Sequence, residues 1–168
     1  GNLWMIYFNH RNNALDKTLS NIYSKDKTNI LVSLYGDEYF PEYLLTCVEK
    51  FSDGYSWHFR NHPTNPISTE LTDCILALKN TEIESSSKAL LFDLLTITNI
   101  HITGYSTVAF EAQSYGVPSI FTHINAKNGY SDLLGRNGLY YAESKKELNL
   151  LINKLTVAEI EITPEYIV

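Results

Sequence analysis

Two short segments of this chain carry residue types that could hold a phosphorylated ligand. The first is residues 100–120, IHITGYSTVAFEAQSYGVPSI. An apolar, β-rich run enters Gly104, which permits a tight turn and close backbone approach; Ser106 and Thr107 follow where a helix-like stretch begins. A helix start presents unpaired backbone N–H groups and a partial positive charge, so it suits an anion, and the two hydroxyls add donors. Glu111 comes four residues after Thr107, on the same helix face and about 6 Å along the axis. From a phosphate at the helix mouth that reach suits a ribose diol, whose two hydroxyls one carboxylate can accept together. The plain structural alternative makes Ser106 an N-cap and Glu111 a solvated helix residue. The apolar neighbours Phe110 and Ala112 favour the binding role.

The second segment is residues 57–66, WHFRNHPTNP. His62 closes a strand-like run and precedes a proline that stiffens the turn, and an imidazole there can donate to a phosphate oxygen. Arg60, two residues earlier, points to the same side of the strand; His58 lies inside the strand and reads as structural. Secondary candidates sit in other loops. Gly36 would let its loop pass near a ligand, while the adjacent Asp37 and Glu38 read as acids favouring the next helix start. Ser86, in the triple serine 85–87, is a helix cap or a contact to base or ribose. Asn125 and Lys127, with Asn128, lie in a polar loop after a strand and could touch sugar or phosphate.

Other chemistries are absent from the pattern. There is no GxGxxG or Walker-type loop, no His/Cys/Asp cluster with metal-ligand spacing and no GxSxG elbow. No metal and no cofactor are therefore expected, and no residue is assigned as a catalytic base.

The elements that must position these residues alternate. Strand-like runs at 29–35, 55–60, 82–85, 100–103, 118–123 and 139–142 are separated by helix-like runs at 41–51, 68–78, 88–98, 107–115 and 144–155. Ser144 with Glu147 forms a capping-box pattern, and Gly116 with Pro118 stops the helix before it. Such alternation predicts an α/β, doubly wound, Rossmann-like parallel sheet of about six strands with right-handed crossovers. Ligands of that fold bind outside the carboxyl ends of the strands, where both segments end. Residues 29–168 form this domain in our reading. Residues 1–28 fit it less well and read as a helix on the sheet edge or an interdomain remnant, and residues 156–168 as a strand or crossing segment.

Composition sets outer limits. The 168 residues suit one domain with a real core, and the net charge of −6 makes the domain no match for nucleic acid. No apolar run is long enough to span a bilayer and no signal peptide is recognisable, so a cytoplasmic domain is expected. Cys47 and Cys74 are far apart without a CxxC pattern and read as two buried free thiols.

Residues 92–121, FDLLTITNIHITGYSTVAFEAQSYGVPSIF, resemble the donor-site segment of GT-B glycosyltransferases, above all bacterial enzymes of capsule and surface-polysaccharide synthesis. The FRNHP element at 59–63 is similar to the His-Pro motif of bacterial sialyltransferases, Kdo transferases and polyol-phosphate transferases. The resemblance spans roughly residues 29–155, the length of one GT-B half. It implies a CMP-, CDP- or UDP-linked sugar as donor, with His62 on the donor phosphate, Ser106 and Thr107 holding it at the helix mouth beside Gly104, and Glu111 on the ribose. It implies an N-terminal acceptor domain outside this chain, which would supply the catalytic base, and a parent enzyme peripheral to the inner membrane. This half alone would bind without turnover. Half of a sugar-nucleotide 2-epimerase, a polyol-phosphate transferase and a non-catalytic Rossmann-like module are the competing readings.

Overall fold

A computed structural model describes residues 24, 26–157 and 162. The expectations for residues 1–23 and for most of the tail after 157 lie outside the described residues. Six strands form one all-parallel sheet: β1 (Thr28–Ser33), β2 (Tyr55–Arg60), β3 (Thr81–Glu82), β4 (Ile100–Thr103), β5 (Ser119–Phe121) and β6 (Leu139–Tyr141). Their spatial order is β3-β2-β1-β4-β5-β6. The chain therefore winds outward from β1 to β3, returns to β4 beside β1, and winds outward the other way. The doubly wound Rossmann-like fold read from the sequence is the fold observed.

Among the described residues six α-helices connect the strands and a seventh follows the last: α1 (Tyr43–Lys50), α2 (Thr69–Leu76), α3 (Glu84–Lys88), α4 (Leu91–Ile97), α5 (Val108–Ser114), α6 (Ile124–Gly129) and α7 (Lys145–Val157). The Ser144 and Glu147 pattern is realised at the start of α7. Ser144 Oγ accepts the Glu147 N–H at 3.3 Å, and Glu147 accepts the Glu143 N–H at 2.7 Å. Two expectations change. The third strand covers only residues 81–82; residues 84–88, read as strand end and serine cap, coil into α3, and the chain breaks at Ala89–Leu90 before α4. The polar loop at 124–132 contains a short helix, α6, nucleated where His123 Nδ1 accepts the Asn125 N–H.

Strand alternation divides the core into two faces. On one, Ile30, Val32, Trp57, Phe59, Ile100, Ile102 and Ile120 pack under Leu44, Cys47 and Val48 of α1, Ile75 of α2, and Leu148, Ile152 and Leu155 of α7. On the other, Leu31 meets Leu94, Leu95 and Ile97 of α4 and Ala112 of α5, while Phe121 and Leu139 meet Ala109 and Ala126. Each large apolar side chain buried this way contributes roughly 1.5–3 kcal/mol. Cys47 is buried and free, its thiol pushed up to about 11 by desolvation, whereas Cys74 is exposed. The expected burial of both thiols holds for Cys47 only, because Cys74 faces out from α2.

The second face also carries buried polar groups. His101 is fully buried in the middle of β4, with Nε2 at 2.9 Å from Ser33 Oγ and Nδ1 at 2.9 Å from Ser119 Oγ. The Ser119 hydroxyl donates to the Ala109 carbonyl at 3.4 Å, so it accepts from Nδ1–H, and Nε2 accepts from Ser33. The seam runs from β1 through β4 and β5 to α5 with every proton assigned. It holds the imidazole neutral, and burial pulls its pKa down to about 3. His58 is structural, as expected: it bridges Glu82 at 3.2 Å and Asn29 at 3.1 Å.

Candidate functional site

The winding reverses between β1 and β4, and their carboxyl ends part there to leave a crevice. It is lined by Ser33, Tyr35, Gly36 and Tyr39 from the β1 side and by Thr103, Gly104 and Thr122 from the β4 and β5 side.

The β1 loop forms one wall. Gly36 has φ 66°, and a Cβ there would strike the Glu38 carboxylate and lie 2.6 Å from Asn65 Nδ2, so only glycine fits. Its N–H donates to the Asn65 carbonyl at 2.9 Å, and Asn65 Nδ2 donates to Glu38 at 3.4 Å. Asp37 accepts the Ser68 N–H at 2.8 Å, just before α2. Asp37 thus supports the start of α2, not that of the next helix as expected, and Glu38 is spent on Asn65. The 3-10 turn Asp37–Tyr39 then lies on Gly104. A Cβ at 104 would sit 2.5 Å from the Tyr39 carbonyl oxygen. The close approach that Gly104 permits is thus made by the chain's own backbone.

His62 stands at the carboxyl end of β2, half-buried. Its Nδ1 accepts the Thr64 N–H at 3.3 Å and lies 3.1 Å from the Thr64 hydroxyl, which leaves Nε2 as the protonated nitrogen of the neutral ring. The ring packs edge-on to Tyr35, centroids 4.7 Å apart. Tyr35 meets Tyr39 at 5.5 Å, and Tyr39 meets His123 at 4.8 Å. This row of four rings crosses the carboxyl ends of the central strands. Sequence reasoning held Tyr39 and His123 within candidate loops without giving their side chains a role, and passed over Tyr35, although each follows a strand directly or within a short loop.

Ser106 Oγ accepts the Val108 N–H at 3.3 Å, so its structural role is realised while its proton remains available to donate; Thr107 is exposed and its side chain makes no cap bond. Glu111 follows one turn into α5, half-buried, and desolvation raises its pKa. Among the described residues Glu111 has no hydrogen-bond or ion-pair partner in the protein.

The secondary candidates divide. Gly36 lines the crevice. Arg60 does not join it: its guanidinium donates to the Ser86 carbonyl and, at 2.7 Å, to the Ala89 carbonyl, tying down the end of α3. Burial lowers the Arg60 pKa. Ser86 is fully buried, and its hydroxyl is spent on Glu82. Lys127 pairs with Glu143 at 2.7 Å and lies over the Tyr141 ring, and that pairing raises its pKa. The Asn125 side chain is exposed on α6. Among the described residues no cluster of His, Cys, Asp and Glu could hold a metal ion, and no helix is long and apolar enough to cross a membrane.

No protein-family model and no curated protein sequence matches the chain. Solved structures do. The UDP-GlcNAc 2-epimerase of Methanocaldococcus jannaschii superposes with a TM-score of 0.69 at 16% identity, over 92% of this chain and 46% of that one. The UDP-GlcNAc 2-epimerase of Neisseria meningitidis, bound to UDP-GlcNAc, gives 0.63 at 14% identity, over 94% of this chain and 47% of the other. The wall teichoic acid polymerase TagF gives 0.54 at 18% identity, over 84% and 39%. The chain spans less than half the length of each. At these identities the likeness establishes the fold alone, a Rossmann-like α/β domain shared with part of each of those chains.

Proposed function

We propose that this chain is the donor-binding half of an enzyme that acts on nucleotide sugars, a glycosyltransferase of surface-polysaccharide synthesis working in the cytoplasm against the inner membrane. The observation that supports the reading is that Gly104 lines a crevice at the sheet's reversal point, with Ser106 and Thr107 following it in the chain and His62 packed on the lining residue Tyr35. In this reading His62 Nε2–H and the hydroxyls of Ser106 and Thr107 donate to the donor phosphate, and Glu111 accepts from the ribose diol. The unpartnered, half-desolvated carboxylate of Glu111 supports that role, since a diol would supply the donors it lacks. In transfer, the bond from the anomeric carbon to the phosphate oxygen breaks, the nucleotide leaves with the electron pair, and the acceptor oxygen bonds to the sugar. Donors held on the phosphate stabilise the departing charge. The acceptor and the base that deprotonates it belong to a second domain.

A 2-epimerase half is the second reading, favoured by the higher TM-scores of the two epimerases. Incubating the whole parent protein with UDP-GlcNAc and following C2 inversion by NMR separates the two. For the binding reading itself, calorimetric titration with CMP, CDP, UDP, GDP and their sugar adducts is expected to show one saturable nucleotide. His62→Ala and Glu111→Ala should each weaken it about 10- to 100-fold, the loss of a hydrogen bond to a charged group. Saturable binding unchanged by both substitutions in folded protein would sink the assignment.

A further inference from the structure

The turn that carries Ser106 and Thr107 is seated on the segment that follows β5. Three contacts place it. The Gly104 carbonyl accepts the His123 N–H at 3.2 Å. The Tyr105 ring stacks on Tyr130, with centroids 5.1 Å apart and planes at 27°. Phe110, on α5, meets the same Tyr130 ring edge-on at 5.0 Å. Tyr130 therefore holds the chain on both sides of Ser106 and Thr107. It packs in turn on Phe121, 5.3 Å away, in the buried cluster with Ala109 and Ala126. The side chains of Ser106 and Thr107 have no such anchor: Ser106 accepts the Val108 N–H next to it, and Thr107 makes no cap bond.

The residue before Tyr130 accounts for how Tyr105 reaches this seat. Gly129 closes α6 without a positive φ, so its backbone does not demand glycine, and alanine is the better helix former. A Cβ at 129 would lie 2.9 Å from the Tyr105 hydroxyl oxygen but 3.5 Å from the nearest ring carbon. Only the hydroxyl is crowded; the ring would make an ordinary contact. We propose that Tyr105 is a positioning residue: stacked on Tyr130 and admitted by Gly129, it sets where the hydroxyls of Ser106 and Thr107 stand for a donor phosphate. The inference deepens the nucleotide-binding reading and rests on it for the ligand. Hydrogen bonds weaken steeply with misdirection, so a displaced turn loses affinity.

The test is calorimetry on the full 168-residue chain with CMP, CDP, UDP and GDP, beside the amide ¹H–¹⁵N signals of Ser106, Thr107 and Val108. Gly129→Ala is expected to move those signals and to weaken nucleotide binding about fivefold or more. Adding Tyr105→Phe to Gly129→Ala removes the crowded hydroxyl and leaves the ring 3.5 Å from the new methyl group, so signals and most of the affinity should return. A general loss from altering α6 would not be relieved in this way. Should Gly129→Ala not fold, Tyr105→Leu decides: without the flat ring the same signals should move and the affinity fall. Unchanged affinity in these variants, or a loss that Tyr105→Phe does not relieve, would overturn the proposal while nucleotide binding stood. Signals that move with Gly129→Ala and return with Tyr105→Phe, in a chain that binds none of the four nucleotides, would keep the seating of the turn and remove the nucleotide reading. Signals that stay in place in such a chain would remove both.

Discussion

Acidification should destabilise this domain through His101 before most carboxylates titrate. The fully buried imidazole is neutral in the fold, with its pKa near 3 against about 6.5 in a solvated chain. Between those values the unfolded chain binds a proton that the folded chain refuses, so stability is full above pH 6.5 and falls as pH is lowered. Linkage gives roughly 1.4 kcal/mol per pH unit in that window, or about 2 kcal/mol between pH 7 and pH 5 from this residue alone. That is a large share of the 5–15 kcal/mol typical of a domain. His101→Gln provides the comparison. Its amide can accept from Ser33 and donate to Ser119 in the same sense as the ring, and it does not titrate. Urea unfolding at pH 7, 6 and 5, followed by tryptophan fluorescence, reads the difference directly. The wild type should lose about 2 kcal/mol more than His101→Gln over this range, with matching m-values. Parallel pH profiles for the two proteins would refute the neutral-seam argument.

Two further outcomes are expected. Gly104→Ala puts a methyl group 2.5 Å from the Tyr39 carbonyl oxygen, and the 3-10 turn must move to admit it; a loss of about 1–3 kcal/mol in denaturant unfolding is expected, together with weaker nucleotide binding. Glu111→Gln acts in opposite directions on stability and function. Desolvation raises the native carboxyl's pKa, so its ionisation opposes folding as pH rises above the ordinary carboxylate value. The variant should be at least as stable as wild type at pH 7 by thermal unfolding and bind nucleotide more weakly; a less stable variant would mean that Glu111 has a structural partner.

The main architecture was legible because period and punctuation agreed. The runs at 55–60 and 100–103 match β2 and β4 residue for residue, and Ser144 with Glu147 announced α7. What escaped depended on tertiary contacts. Residues 84–88 read as strand and cap, but Glu82 and Arg60 reach across from neighbouring strands to satisfy the Ser86 backbone and hydroxyl, and so fix a helical turn there. Arg60 and His62 share a side of the strand by periodicity, yet β2 ends at Arg60, whose guanidinium is spent on the Ser86 and Ala89 carbonyls, while His62 beyond it packs on Tyr35. The aromatic row escaped for the same reason: its members come from three loops 88 residues apart in sequence at the extremes, Tyr35 and His123.

The seating of the Asp37–Tyr39 turn on Gly104 has a consequence for how such a sequence can vary. Position 104 belongs to the β4 arm of the site and position 39 to the β1 arm, while Gly36, Asp37 and Glu38 are bonded to Asn65 and Ser68 on the β2 arm. Drift at one position cannot be absorbed locally. A descendant that replaced the glycine at 104 would need a shortened or re-routed 37–39 turn, and that change would release the partners at 65 and 68. These positions should therefore covary as a group, and a homologue that breaks the pattern at one should break it at all.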